Sequence, residues 1–154
     1  QDLRSSRNAL HIAAAADSSP ELLEDLAAWG VELLETDVGQ KVPLHLAAQW
    51  GKLRNIGKLL EMKSDVEARC SHQRTALHLA ARRGHASLCT KLVDEGGADI
   101  HSADATGSTP FALACRFGHF DIVLAMAKCR VDMTSMEKDG MTALHWAARF
   151  GNTA

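Results

Sequence analysis

The feature that most constrains the fold is a seven-residue phrase that recurs five times in 154 residues. The clearest copies read Val-Pro-Leu-His-Leu-Ala-Ala at 42–48 and Thr-Ala-Leu-His-Leu-Ala-Ala at 75–81, and the others occupy 8–14, 109–115 and 142–148. The central apolar residues are separated by 34, 33, 34 and 33 positions: Leu10, Leu44, Leu77, Phe111 and Leu144. Such a period is typical of stacked repeats, in which each unit contacts only its neighbours. The chain is therefore expected to bury a continuous stripe through a stack.

The second repeat, residues 37–69, indicates what each unit forms. Pro43 suits the first turn of a helix, and one face of that helix then carries Leu44, Ala47 and Ala48. Gly51 can end this helix, and a second helical face follows with Ile56, Leu59 and Leu60. Turn residues at 37–39 and 64–65 join successive units. Helices this short are marginal alone in water, so each must pack against the next repeat.

The longer stretches from Thr75 to His85 and from Thr109 to His119 resemble the ankyrin repeat. A Leu-Leu pair and a Gly-Ala-Asp triplet, which belong to the same resemblance, follow the phrase elsewhere in the chain. The resemblance covers nearly the whole chain. It implies an all-α repeat solenoid of stacked helix-turn-helix units with β-hairpin or turn fingers and a concave groove. We expect a single array over 1–154, with repeats near 3–36, 37–69, 70–103 and 104–136 and a partial repeat over 137–154.

Some positions depart from the pattern that the resemblance implies. Asp17 replaces the glycine that closes the first helix, Lys63-Ser64 replaces the Gly-Ala of the second repeat, and Ala112 replaces a histidine. The fifth copy stops before a second helix, which leaves the face that carries Trp146 without a partner. Because the chain also begins at Gln1 without a leader-like stretch, we expect it to be a fragment of a longer array.

Composition narrows the functional classes. Hydrophobic residues make up 46% of the chain, but no run approaches the roughly 18 apolar residues of a membrane span. The four cysteines form no CxxC pair, which favours reduced thiols and an intracellular location, in the cytoplasm or the nucleus. Residues 8–40 hold seven acidic residues and no Lys or Arg, and the remainder is mildly basic. This asymmetry could orient an approaching partner, or it could be a solvated face.

Recurring histidines and cysteines do not predict a catalytic or metal site. His11, His45, His78 and His145 recur in register, but packed helices lie roughly 8–10 Å apart, too far for the zinc–nitrogen bonds of about 2.0–2.1 Å. Each imidazole is instead expected to cap backbone groups and tie its helix to the neighbouring finger. We expect Cys89 and Cys115 in the core, and Cys70 and Cys129 near accessible turns. No nucleotide-binding or hydrolase motif is present, so we expect no enzymatic activity, no cofactor and no metal.

Residues that follow each Ala-Ala pair carry the functional signal. In the resembled family these positions face the groove, and here they are Gln49, Trp50, Arg82, Arg83, Arg116, Phe117, Arg149 and Phe150. The helix spacing predicts a ladder with a step of about 10 Å. Finger positions expected to flank it are Val38, Lys41, His72, Arg74, Thr106, Ser108, Lys138 and Met141. Trp and Arg are enriched among interface hot spots, but the aromatic residues could also simply pack against the turns.

These residues favour a non-catalytic protein–protein interaction module. An acidic or apolar peptide, helix or loop of another protein would meet the arginines, and its apolar groups would contact the aromatic rings. One alternative is a regulatory or targeting segment of a larger enzyme or channel that docks within its own chain. Nucleic-acid binding is a weaker alternative, because the pI of about 6.5 lies below the value of roughly 9 that marks such domains.

Overall fold

In the computed structural model, the described residues are 6–127 together with 136, 138, 140–142, 145, 148 and 149. Eight helices are described: α1 (Ala9–Ala15), α2 (Glu21–Ala28), α3 (Pro43–Gln49), α4 (Leu53–Glu61), α5 (Ala76–Arg83), α6 (Ala86–Asp94), α7 (Pro110–Phe117) and α8 (Phe120–Ala127). Each odd-numbered helix packs against the even-numbered helix that follows it. The odd-numbered helices also pack on one another in chain order, as do the even-numbered ones. The expected repeat solenoid is confirmed.

Small side chains set the distance between the inner helices. Both alanines of the phrase are buried in α3 and α5, where Ala47, Ala48, Ala80 and Ala81 have no exposed surface. The central apolar residues of the first four phrases are also buried: Leu10, Leu44, Leu77 and Phe111. The outer helices add apolar side chains that close the same core: Leu23, Ile56, Leu59, Leu88, Leu92 and Ile122. Burial of this stripe supplies the stability that helices of seven to nine residues lack alone.

A histidine after the glycine that ends an inner helix packs on the previous repeat. The helix-ending residues Gly51 and Gly84 have φ values of +70° and +82°, in the region that favours glycine. A Cβ atom on Gly51 would lie 2.7 Å from the ring of His85, and one on Gly84 would lie 2.8 Å from the ring of His119. The ring of His119 also lies 3.0 Å from the carbonyl oxygen of Arg82 through its Nε2. These imidazoles therefore connect neighbouring repeats.

The helix pairs are joined by tight turns that project sideways, which we call the first finger (37–41), the middle finger (70–74) and the third finger (104–108). Each finger is closed by one backbone hydrogen bond from its first N–H to its last carbonyl, with N···O distances of 2.9, 3.0 and 2.9 Å. Neighbouring fingers are linked by bonds from Ser71 N to Gly39 O and from Ala105 N to His72 O. Within the described residues the fingers are turns, and the β-pairing is limited to a single bridge between Met136 and Thr142.

Three of the phrase histidines, His11, His45 and His78, tie the inner helices to the fingers, as expected. For His145 the described contacts are with Thr142, at the start of its own phrase. Nε2 of His11, His45 and His78 lies 2.7, 2.9 and 3.1 Å from a carbonyl oxygen of the next finger. In the same rings Nδ1 accepts a hydrogen bond from the backbone N–H at the start of its own helix. All three side chains are completely buried. Their ring nitrogens are therefore engaged in structural hydrogen bonds.

The predicted accessibility of Cys70 is wrong, whereas Cys89 and Cys115 lie in the core as expected. Cys70 is only 1% exposed because it occupies the base of the middle finger, where its N–H bonds to the carbonyl of Arg74. Cys129 and Trp146 lie outside the described residues. In the part of the chain that the structure describes, no group of three His, Cys, Asp or Glu residues could hold a metal ion.

Candidate functional site

A basic pocket forms where the first and middle fingers meet the ends of α3 and α5. Its volume is about 280 Å³. The predicted residues that line it are Lys41, Gln49, His72, Arg74, Arg82 and Arg83. The remaining lining is Gly39, Cys70, Ser71 and Leu79, so among the described residues no Asp or Glu lines the pocket. We call this cavity the groove pocket.

Two fingers and one helix end position the cations of the groove pocket. Lys41 ends the first finger, and its Nζ donates to Oε1 of Gln49 at 2.8 Å. Arg74 ends the middle finger, and its Nε donates to Oδ2 of Asp104 at 2.8 Å. Arg82 and Arg83 are the last two residues of α5 and are exposed. Gln49 thus positions Lys41, and Asp104 neutralises Arg74.

The guanidinium of Arg82 bridges two rungs of the predicted ladder. Its Cζ lies 5.4 Å from the ring centroid of Phe117, a cation–π distance. Partial burial, followed by the nearby positive charges of Arg74, Arg83 and Arg116, lowers the pKa of Arg82. These neighbours show that like charges are concentrated here. The contact also gives Phe117 a packing role, although 45% of the residue remains exposed.

Other predicted residues lie outside the groove pocket. Trp50, which caps the C-terminus of α3, is 54% exposed. Arg116 is half-buried at the end of α7, and Met141 is half-buried while Arg149 is exposed. Phe150 lies outside the described residues. The structure thus gathers the first rungs of the ladder into a pocket and leaves two aromatic side chains beside it.

Ser108 cannot offer its side chain to a partner as predicted. The residue is completely buried, and its carbonyl lies 3.1 Å from Nε2 of His78. Its Oγ lies 2.9 Å from that of Thr106. The position corresponds to Lys41 and Arg74 in the preceding fingers, but a short hydroxyl side chain turns inward where the longer cations reach the groove. The length of the side chain therefore decides whether the residue at this position reaches the groove.

Carboxylates at the base of two fingers accept several hydrogen bonds. Oδ1 of Asp104 accepts from the backbone N–H groups of Thr106 and Ser108 at 2.8 and 3.1 Å. Burial acts to raise the pKa of Asp104, but the hydrogen bonds from Thr106 and Arg74 outweigh it and lower that pKa. Asp37 plays the same part in the first finger, where its Oδ1 accepts from the N–H groups of Gly39 and Lys41.

A larger depression lies on the outer helices, but its charges compensate one another. Its volume is about 650 Å³, and its lining includes both acidic and basic side chains. Lys58 pairs with Glu24 and Glu61 at 2.7 and 3.0 Å, and Lys91 pairs with Glu95 at 2.6 Å. Because this lining carries charges of both signs, and Lys58 and Lys91 are already paired, the groove pocket is the stronger candidate site.

One contact that the sequence analysis missed joins the first two repeats. Asn55, on α4, is buried, and its Nδ2 lies 3.1–3.2 Å from the carbonyl oxygens of Ala13, Ala14 and Ala16. It therefore satisfies the C-terminus of α1, which lacks a glycine cap. The sequence signal that could have predicted this contact is a polar residue, Asn55, within the apolar pattern of α4.

The stacked helix pairs, the finger ladder and the histidine ties define a helical repeat protein. The family model described as ankyrin repeats, in three copies, matches residues 10–104 and 77–154. The chain belongs to the ankyrin repeat family. Proteins of this family generally act as protein–protein interaction modules and are generally non-catalytic.

Relatives with this array are much longer proteins. The chain is 30% identical over 139 residues to the human Neurogenic locus notch homolog protein 2, covering 90% of this chain and 6% of that protein. It is 29% identical over 140 residues to homolog protein 1 of Danio rerio, and 28% identical over 137 residues to that of Xenopus laevis. These alignments cover 90% and 88% of this chain and 6% and 5% of the two relatives. The chain thus spans about one-twentieth of the length of these relatives. None of the described helices is long and apolar enough to cross a membrane.

Proposed function

We propose that this chain is a non-catalytic recognition module that binds an acidic segment of another protein along the groove. The observation that carries the proposal is the groove pocket, where Lys41, Arg82 and Arg83 converge without a carboxylate among the described lining residues. A peptide or helix with acidic side chains would restore charge balance there. The shape is already formed by the fingers and by α3 and α5, so little ordering free energy opposes binding.

Apolar anchors beside the pocket add to the proposal. Trp50 precedes it in the ladder and Phe117 follows it, and both present exposed ring surface. Aromatic side chains and arginine contribute a large share of binding free energy at interfaces. An acidic segment that also carries apolar residues would therefore contact both kinds of group. Phe150 and Arg149 would extend the ladder in the fifth repeat.

Affinity capture with matched variants tests this proposal. An R83E/F117A variant reverses one charge of the groove pocket and removes one anchor. The control variant R54E/L124A also reverses one arginine and truncates one large apolar side chain, at exposed positions outside the groove. Partners retained by the wild-type chain should be retained by R54E/L124A and weakened at least about 30-fold by R83E/F117A. Circular dichroism confirms that each variant keeps its helices. Equal retention by both variants would contradict the groove assignment.

A partner within the same polypeptide is the second candidate, because the chain corresponds to about one-twentieth of its relatives. The groove would then hold an acidic segment of the longer chain and regulate or target an enzyme or channel. Adding the isolated array to the remainder of its natural chain distinguishes the two. Binding in trans that R83E/F117A abolishes would identify an intramolecular partner.

The organisation and location of the chain are part of the same proposal. We propose one array over 1–154 with the repeat boundaries given above, continuing in a longer protein. An intracellular location, in the cytoplasm or the nucleus, is favoured by the cysteine pattern of the sequence, four residues that form no CxxC pair. Limited proteolysis and fluorescence microscopy of the natural full-length chain test these two statements.

A further inference from the structure

The carboxylate that completes a finger is replaced by a thiol in the middle finger. Asp37 and Asp104 occupy the first position of their fingers, and each also pairs with an arginine of the preceding repeat: Arg7 with Asp37 at 3.4 Å, and Arg74 with Asp104 at 2.8 Å. The first position of the middle finger is Cys70. A thiol lacks the two carboxylate oxygens with which Asp37 and Asp104 accept backbone hydrogen bonds and pair with an arginine.

Lys41 is the cation left without a finger carboxylate. It stands at the position of Arg7 and Arg74 in their repeats, so its counterpart in the next finger would be residue 70. Its Nζ donates instead to the neutral amide oxygen of Gln49. Both Lys41 and Cys70 line the groove pocket, so the missing charge borders this pocket, although Cys70 itself is only 1% exposed.

Arg82 and Arg83 add two further positive charges to the same pocket. Within residues 6–127, neither guanidinium forms an ion pair with a carboxylate. With Arg74 neutralised by Asp104, three cations of the pocket have no carboxylate partner among the described residues: Lys41, Arg82 and Arg83. One carboxylate would compensate one of them. A phosphoryl group, with a charge of about −1.5 to −2 and three acceptor oxygens, matches the set more closely.

We propose that the groove pocket is a phosphoryl subsite that receives a phosphorylated serine or threonine side chain of the bound partner. The oxygens would take the place that a carboxylate at residue 70 would fill, between Lys41 and the guanidinium groups of Arg82 and Arg83. This inference rests on the proposed function and specifies the chemistry of its partner. Binding to this array would then depend on phosphorylation of the partner.

Degenerate peptide libraries with one fixed central residue test the proposal. Three libraries carry phosphoserine, glutamate or serine at the centre and are otherwise identical. The wild-type chain should retain the phosphoserine library at least about tenfold more strongly than the serine library, with glutamate between them. In parallel, inorganic phosphate should shift the side-chain NMR resonances of Arg82 and Arg83 saturably, and acetate at equal ionic strength should shift them less.

Cys70→Asp is the decisive variant because it supplies the missing carboxylate. Asp37 and Asp104 are each 6% exposed at the same position, so the fold accommodates a buried aspartate there. The variant should keep its helicity while its preference for phosphoserine falls to within about twofold of serine. Cys70→Ser, neutral and similar in size, is the matched control and should keep the wild-type preference. Lys41→Met should weaken it without adding a charge.

Several results would overturn the inference. Glutamate retained as strongly as phosphoserine would make the pocket a carboxylate site, and the proposed function would stand. An unchanged preference in Cys70→Asp would place the anion elsewhere. Random single-stranded RNA bound more tightly than the phosphoserine library, with the same loss in Lys41→Met, would assign the cations to nucleic acid. Equal retention of all libraries by the wild-type and R83E/F117A chains would count against the proposed function as well.

Discussion

Acid should destabilise this protein through His78, at a pH where exposed carboxylates are still ionised. Its Nε2 lies 3.1 Å from the carbonyl oxygen of Ser108, and its Nδ1 accepts the N–H of Thr75 at 3.2 Å, with the Thr75 hydroxyl 2.9 Å away. This arrangement requires the neutral ring with its proton on Nε2. A second proton on Nδ1 would bury a charge and displace the Thr75 N–H.

Burial lowers the pKa of His78 from its ordinary value of 6.5 to about 4, although the charge of Asp104 and the hydrogen bond to Ser108 oppose the shift. The unfolded chain therefore binds more protons than the folded chain between pH 4 and pH 6.5. Above about pH 7, His78 makes the free energy of unfolding neither rise nor fall with pH. As the pH decreases through the window from 6.5 to 4, the free energy of unfolding falls. Between pH 7.5 and 5.0 the loss from His78 is about 2 kcal/mol. Burial lowers the pKa of His45 too, which adds a loss in the same direction.

Urea denaturation at pH 7.5 and 5.0 measures this loss. With an m value of about 2 kcal/mol per molar urea, the midpoint should fall by about 1 M. A His78→Gln variant should be less stable at pH 7.5 but should lose less on acidification, whereas His101→Gln, at an exposed position, should lose as much as the wild type. The reasoning fails if NMR shows the His78 ring of the folded protein titrating near 6.5, or if His78→Gln keeps the full pH dependence.

Three further predictions concern the packing. Gly84→Ala should lower the free energy of unfolding by about 2 kcal/mol, and Gly97→Ala by about 1 kcal/mol, as measured by thermal or urea unfolding. Both glycines have positive φ, but only the Cβ atom at residue 84 would meet a neighbouring imidazole. Equal losses in the two variants would exclude the imidazole contact as the cause. Asn55→Ala should cost about 1–3 kcal/mol, because it removes the donor to three carbonyl groups at the end of α1, and an unchanged urea midpoint would contradict that role. Burial raises the pKa of Cys89 to about 12 and that of Cys115 to about 11, so neither thiol should react with Ellman's reagent at pH 8 until the chain unfolds.

The sequence was sufficient to predict the solenoid because the same physical requirement recurs in every repeat. Leucine and alanine at helical spacing determine which helix faces stack. The complete burial of four alanines agrees with that prediction: Ala47, Ala48, Ala80 and Ala81. The histidine ties followed from the same register. A repeated pattern reports repeated contacts, so it predicts the contacts that all units share.

Contacts particular to one pair of repeats were not predictable in the same way. The amide of Asn55 compensates for the missing glycine at the end of α1, which only the relative placement of α1 and α4 reveals. The contact of Arg82 with Phe117 depends on how far one helix is rotated against the next. Ser108 was assigned to the groove by its register, but the short side chain faces inward. In each case side-chain length or helix rotation, which spacing does not encode, determines the contact.

Cys70 shows how an exception to the repeat can carry functional information. The same sequence register that places Asp37 and Asp104 at the base of their fingers places a cysteine at the base of the middle finger, in the pocket that Lys41 also lines. For folding, a carboxylate there would be favourable, since both existing ones accept backbone hydrogen bonds and pair with an arginine. A position that forgoes this stabilisation keeps the cations of the groove pocket available. At the proposed phosphoryl subsite, stability and recognition make opposite demands on residue 70, so Cys70→Asp should improve the first at the expense of the second.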